Sequence, residues 1–191
     1  GTVSQLRNQL KVVHEATKVT ADKELGHVVT GDFIYGQIAP NLLMTGVISK
    51  TVYETIAQLG TGDVAEQLQS KILALTFLIG KLPTEAFEET GIKATEGVLA
   101  DLLVEDLSQG STELRKQVPK QLKALLKKGV VMSMNTGGET EYRLQTQESS
   151  QWYDTYRQQE AELSGNPQRL ETERDDLLTK FTRTAAAQLR L

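Results

Sequence analysis

Apolar residues recur every three or four positions along the first 82 residues, which is the spacing of one face of an α-helix. The pattern predicts a first helix from about Thr2 to Asp22. A second helix is predicted over residues 33–43. We expect it to be broken or kinked near Pro40, because proline has no amide hydrogen to donate inside a helix.

Residues able to cap helices mark the starts of a third and a fourth helix. Ser49 has the side-chain oxygen that an N-cap requires, and a helical pattern follows it. Thr61 or Asp63 is the predicted cap of the fourth helix, which Gly80 ends. Residues 1–82 are therefore predicted to form one all-helical domain.

Helical patterns also follow residue 82. A short acidic helix is predicted over residues 84–91, and an amphipathic helix over residues 94–107. The apolar side of the amphipathic helix consists of Val98, Leu99, Leu102, Leu103 and Leu107. Ser111 or Thr112 caps a helix of one to two turns, and Pro119 then occupies the first position of a basic helix.

Two strand patterns follow Gly129, which ends the basic helix. "VVMSM" and "EYRLQT" are joined by "NTGGET", whose glycines can adopt the positive φ angles of a tight hairpin. Helices followed directly by a hairpin are the order of a winged helix, a variant of the helix-turn-helix. We therefore predict a winged-helix domain of three helices and a β-hairpin over residues 83–147.

Residues 148–191 have a polar, helical pattern. Leu170, Leu177, Phe181 and Leu189 form an incomplete apolar seam, with one heptad step between Leu170 and Leu177. We predict a C-terminal helical arm that begins a longer helical region, and a mostly α fold for the whole chain. Because the chain starts at a helix cap and ends within a helical pattern, we expect it to be a piece of a larger protein.

Composition narrows the possible partners and surroundings. Twenty-five acids against twenty-one Lys and Arg give a net charge of -4, so any contact with nucleic acid has to be local. The absence of cysteine excludes disulfides and thiolate metal sites, and a reducing cytoplasm is the expected location. The longest apolar run, Ile72 to Gly80, has about half of the ~20 residues of a membrane-spanning helix, so no membrane contact is expected.

A catalytic constellation is not found in the sequence. The two histidines, His14 and His27, have no partners at metal-ligand spacing, and no G-x-x-x-x-G-K-[ST] phosphate loop occurs. We therefore predict no catalytic residue, no metal site and no cofactor for the chain itself.

Basic residues concentrate between positions 111 and 128, where six Lys and Arg against one acid give a local net charge of +5. On a helix, Lys120, Lys123 and Lys127 form one stripe opposite the leucines. In a winged helix this helix faces a duplex, and the wing contacts the backbone beside it. The candidate contacts with double-stranded DNA are Arg115, Lys116, Lys120, Lys123, Lys127, Asn135, Thr136 and Arg143.

Other features favour a role without DNA. Lys127 and Lys128 lie in the last turn of the helix, where cations stabilise the helix dipole without any ligand. The preceding amphipathic helix carries acids that can neutralise the basic residues or mark a protein-docking surface: Glu96, Asp101, Glu105 and Asp106. The lysine stripe lacks the Arg, Asn and Gln that read bases, so any DNA contact is expected to be salt sensitive and weakly specific.

The segments "GTVSQLRNQLKVVHEATK" and "GHVVTGDFIYGQI", followed by the winged-helix pattern ending in "YRLQTQESSQW", resemble the BrxC/PglY P-loop ATPases of BREX (bacteriophage exclusion) defence systems. The matching region lies just after the nucleotide-binding core and covers about Gly1 to Trp152. The resemblance implies that residues 1–82 are a lid-like domain of the AAA+ kind and that Arg7 is a nucleotide sensor. It also implies that the full protein binds ATP and Mg²⁺, forms a homo-oligomer and assembles with other BREX components.

Two functions remain open from the sequence. In the first, the chain is a non-catalytic part of a defence ATPase that engages DNA through its winged helix. In the second, it is a protein–protein interaction or oligomerisation module that does not bind nucleic acid.

Overall fold

The structure is a computed structural model, and it describes residues 2–82, 91–136, 138–145 and 167–188. Within these residues the chain forms seven helices and one antiparallel hairpin, which confirms the predicted mostly helical fold. The helices are α1 (Thr2–Thr20), α2 (Asp32–Met44), α3 (Lys50–Gly60), α4 (Val64–Ile79), α5 (Glu96–Leu102), α6 (Thr112–Lys127) and α7 (Pro167–Gln188). The strands are β1 (Val131–Thr136) and β2 (Glu139–Leu144). Most of the acidic helix predicted over residues 84–91, and Leu189 of the predicted seam, lie outside the described residues.

Side-chain caps fix the starts of α3 and α4. The hydroxyl of Ser49 accepts a hydrogen bond from the amide of Val52 at 3.3 Å. The carboxylate of Asp63 accepts from the amide of Glu66 at 2.8 Å, and the Glu66 side chain accepts in turn from the amide of Asp63 at 3.2 Å. The predicted caps at Ser49 and Asp63 are confirmed, and the second is a reciprocal capping box.

Helix α4 lies at the centre of the core. Ile72 and Leu73 are both 0% exposed, and the helix packs against α2, α3, α6 and β2. Leu99 of α5 and Leu122 of α6 belong to the same buried cluster. Gly1–Gln145 consequently forms one compact unit, and the predicted boundary between residues 82 and 83 falls inside it. The physical reason is that α4 is apolar around most of its circumference and serves as core for the elements on both sides of that boundary.

An extended segment ties the N-terminal helices to the connection between α5 and α6. The amide of Val28 donates to the carbonyl of Glu105 at 3.0 Å, and the amide of Gly31 donates to the carbonyl of Leu102 at 2.8 Å. Lys71 of α4 donates to the Glu105 carboxylate at 2.6 Å, and this hydrogen bond holds the pKa of Glu105 below its usual value. Backbone and side-chain hydrogen bonds therefore join residues 28–31, α4 and the region from the end of α5 to Glu105.

Pro40 was predicted to break or kink a helix and Pro119 to begin one, but both lie inside continuous helices. Pro40 is within α2, so the predicted break is not found. Pro119 is within α6, so the predicted short helix after Ser111 and the basic helix are one element. In α6 the hydrophobic burial of Val118 and Leu122, on either side of the proline, offsets the missing hydrogen bond.

Helix α5 is shorter than the amphipathic pattern predicts. It ends at Leu102, and the following residues turn so that Ser108 donates to the Asp106 carboxylate. Leu102 is 39% exposed and Leu107 is 65% exposed, so the predicted apolar side is wrong at these two positions. The turn brings α6 back across α5, with which it packs.

We expect Leu99→Ala to lower the free energy of unfolding by about 2–5 kcal/mol, because it leaves a cavity in the shared core. The matched control is Leu102→Ala on the same helix, which should change stability by about 1 kcal/mol or less. Calorimetry measures both. We expect Gly1–Gln145 to unfold in a single thermal transition, and Leu99→Ala should lower the temperature of that whole transition. A second transition whose temperature is unchanged by Leu99→Ala would mean that the core is divided.

Candidate nucleic-acid interface

Helix α6 has one buried side and one cationic side. Val118, Leu122 and Leu125 are all 0% exposed and face the core. The side chains of Lys120, Lys123 and Lys127 are exposed. Since a helix turns once in about 3.6 residues, the two sets lie on opposite sides of α6. We refer to Lys120, Lys123 and Lys127 as the lysine stripe.

The other basic residues of the segment have protein partners. Arg115 donates to both carboxylate oxygens of Asp101, at 2.8 and 2.6 Å. Lys116 forms an ion pair of 2.7 Å with Glu113 on the preceding turn. Among the described residues, no hydrogen bond or ion pair involves the lysine stripe, so its three charges are not neutralised by direct contact.

Glu113 is the one acid of α6, and it lies at the N-terminal end of the cationic side. A hydrogen bond from Lys116 holds the pKa of Glu113 below its usual value, and the charge of Lys120 lowers the pKa further. The compensation of charge by Glu113 is local, because Lys123 and Lys127 lie about three and about four turns further along the helix. The positive potential is therefore strongest towards the C-terminal half of α6.

A buried amide holds α6 against α4. Gln69 of α4 is 5% exposed, donates to the side-chain oxygen of Gln121 at 2.7 Å and accepts from Lys128 at 3.0 Å. This contact was not predicted from the sequence. Its only signal was a glutamine one turn before the apolar run of a helix, which indicates a polar group that needs a partner in the core.

The hairpin is fixed to α5 by one tyrosine. The backbone amide of Tyr142 donates to the carbonyl of Ala94 at 2.9 Å, and its hydroxyl donates to the Glu96 carboxylate at 2.8 Å. Burial, with a smaller effect of the Glu96 hydrogen bond and charge, raises the pKa of Tyr142 to about 12. At the turn, Gly138 has a φ of 87°, which agrees with the predicted glycine turn.

The predicted wing residues are separated along the hairpin. Asn135 is exposed and pairs in register with Thr140 near the turn, whereas Arg143 pairs with Met132 near the base. Three residues of strand separate the two levels, or roughly 10 Å. Arg143 donates to the Glu141 carboxylate at 2.8 Å. Thr136 belongs to β1, and its side chain lies outside the described residues.

The remaining candidate residues do not form a second site. Arg7 is exposed on α1, and His14 is exposed on the same helix. The backbone of His27 forms an isolated antiparallel β-bridge with that of Asp106. His27 also lines an open cleft of about 310 Å³ together with Lys71 and Glu105. Across residues 2–82, 91–136, 138–145 and 167–188, no group of three or more potential metal ligands is found. The same residues include no helix with the length and apolar character needed to cross a bilayer.

Comparison with known protein families, with curated proteins and with solved structures found no match for this chain.

We expect Gln69→Ala to lower the free energy of unfolding by about 1–3 kcal/mol, because Gln121 and Lys128 lose their shared partner. Gln58→Ala, at an exposed position of α3, is the matched control and should change stability by about 0.5 kcal/mol or less. Urea denaturation measures both variants. Equal midpoints would show that the buried amide does not hold α6 in place.

We expect the stability supplied by Tyr142 to depend on alkaline pH. Its folded-state pKa lies above the ordinary value of 10.0, so the neutral phenol contributes stability that is fully present below pH 10 and is lost as the pH rises towards 12. Tyr142→Phe should therefore lose less stability than the wild type between pH 9 and pH 11.5, as measured by urea unfolding. Parallel pH profiles for the two proteins would contradict the assignment.

Proposed function

We propose that this chain belongs to a BREX P-loop ATPase of the BrxC/PglY family and that its winged helix contacts the phosphate backbone of double-stranded DNA through the lysine stripe of α6. The observation that carries the proposal is the exposed stripe itself. Three lysines share one side of a helix whose opposite side is anchored in the core, and no described residue neutralises them by direct contact. A rigid row of cations of this kind fits the spaced charges of a duplex backbone.

The arrangement around α6 supports a winged helix. Helices α4, α5 and α6 precede the hairpin, and α5 and α6 are joined by a turn as in a helix-turn-helix. The hydrogen bond from Tyr142 to the carbonyl of Ala94 adds a short extended segment beside β2. In this interpretation α6 is the helix that faces DNA.

The chemistry of the stripe favours phosphate contact over base reading. A lysine ammonium is a flexible point charge, whereas discrimination between bases usually uses Arg, Asn or Gln. Gln121 is engaged with Gln69 on the core side of α6. We therefore propose weak sequence preference and strong salt dependence.

The proposed ATPase role rests on the sequence resemblance. ATP and Mg²⁺ would bind to a nucleotide-binding core outside this chain, since no phosphate loop occurs in it. Arg7, exposed on α1, would be the nucleotide sensor of a lid-like domain. The full protein would form a homo-oligomer, and this oligomer would assemble with other BREX components. A phosphate loop in the coding sequence upstream of Gly1 would support this assignment, and its absence would overturn it.

A protein–protein interaction module is the second candidate. It is favoured by the ion pairs that already engage Arg115, Lys116 and Arg143, three of the predicted DNA contacts. The net charge of -4 also opposes the general approach of DNA. In this case the lysine stripe would meet an acidic protein surface.

Binding to a labelled duplex separates the two functions. We expect the wild type to lose affinity steeply as salt rises from about 50 to 200 mM. Lys120→Gln, Lys123→Gln and Lys127→Gln together should reduce the slope of log K against log salt by up to about three, because each phosphate contact contributes about 0.9. Fluorescence anisotropy over this salt range gives both quantities.

The matched control replaces three lysines elsewhere, with Lys11→Gln, Lys18→Gln and Lys50→Gln. Both triple variants remove three positive charges, so an effect of net charge alone would be the same in the two. Retained duplex affinity in the stripe variant, or equal losses in both variants, would contradict DNA contact by α6. If the wild type does not bind the duplex, and the stripe variant no longer binds an acidic protein that the wild type binds, the second candidate is supported.

A further inference from the structure

Helix α7 exposes a cluster of large apolar side chains. Leu177 is 64% exposed, Leu178 is 55% exposed and Phe181 is 72% exposed. Leu177 and Phe181 are four residues apart and therefore lie one above the other on one side of the helix, with Leu178 beside them. Burying each such side chain is worth about 1.5–3 kcal/mol, so the cluster favours a partner.

The charges of α7 are divided along its length. Residues 171–176 contain four acids and one arginine, a net charge of -3, whereas residues 177–183 contain Lys180 and Arg183, a net charge of +2. Around the helix, Glu171 and Lys180 flank the side formed by Leu177 and Phe181, and their side chains are exposed. The apolar cluster lies where the sign changes.

We propose that α7 pairs with α7 of a second copy of this chain, in antiparallel orientation. Leu177 and Phe181 of each copy would meet at the centre of the contact, since the cluster lies close to the middle of the helix. The acidic half of one helix would then lie beside the basic half of the other. This pairing is independent of DNA contact by α6.

Charge and dipole both select the antiparallel orientation. A parallel pair would place the net -3 segments of the two helices side by side and the two net +2 segments side by side. It would also align the two helix dipoles, whereas antiparallel helices place the positive end of one dipole beside the negative end of the other. The apolar cluster alone would not distinguish the two orientations.

Sedimentation equilibrium of the full 191-residue chain tests the association. We expect a concentration-dependent dimer, and we expect Leu177→Ala with Phe181→Ala to weaken its association constant by roughly a hundredfold or more, because both copies lose two buried side chains. Thr179→Ala is the matched control on the opposite side of α7 and should leave the dimer unchanged. A wild-type monomer at all concentrations, or a dimer indifferent to the apolar substitutions, would overturn the proposal.

Single cysteines report the orientation without background, because the chain contains no cysteine of its own. Arg174→Cys and Thr184→Cys chains, mixed in equal amounts and treated with a short thiol cross-linker, should give mainly the mixed product, because positions 174 and 184 would lie opposite each other in the antiparallel pair. Each variant alone should cross-link poorly. Efficient cross-linking of each variant to itself would establish a parallel pair and overturn the antiparallel assignment.

Discussion

The burial of α4 is the constraint on which Gly1–Gln145 depends. In the second half of α4, residues 72–79, seven of the eight residues are buried. Neighbouring elements therefore have to cover nearly the whole circumference of this half. Helices α2 and α3 cover it from the N-terminal part of the chain, and α6 and β2 cover it from the C-terminal part. Removing α2, α3, α6 or β2 would therefore expose part of that surface, and the burial of its apolar area is the main favourable contribution to folding.

The cationic side of α6 is a consequence of the same packing. Once Val118, Leu122 and Leu125 are placed against the core, the helical period leaves the lysine stripe on the outside. Gln69 and Asp101 fix the helix from two sides, through Gln121 and Lys128 and through Arg115. The orientation of the charges is therefore set by the buried side of α6 together with these hydrogen bonds, and the stripe lies on a helix rather than on a loop.

Local patterns allowed much of the fold to be predicted from sequence. The caps at Ser49 and Asp63, the hairpin and the two sides of α6 follow from rules that involve only neighbouring residues. The continuity of α2 and α6 through Pro40 and Pro119 does not follow from such rules, because it depends on the burial of apolar side chains against elements that are distant in sequence. The core that is shared by elements on both sides of residue 82 could not be predicted for the same reason: a helix that is apolar around most of its circumference does not indicate which segments will cover it.

Of the candidate site, the exposed lysine stripe could be predicted from the sequence, but most of the contacts that surround it could not. The spacing of Lys120, Lys123 and Lys127 identified the stripe, and Asp101, the partner of Arg115, was among the acids predicted to be able to neutralise the basic residues. Sequence spacing does not show that Arg143 pairs with Glu141 or that Gln69 lies under α6. Those contacts join residues that are brought together by tertiary packing or by the choice of side-chain conformation. The extended segment from Gly26 to Gly31 has a mechanical consequence: its hydrogen bonds to residues 102–107 make it a strap, so that a displacement of α2 would pull on the turn leading into the lysine-bearing helix.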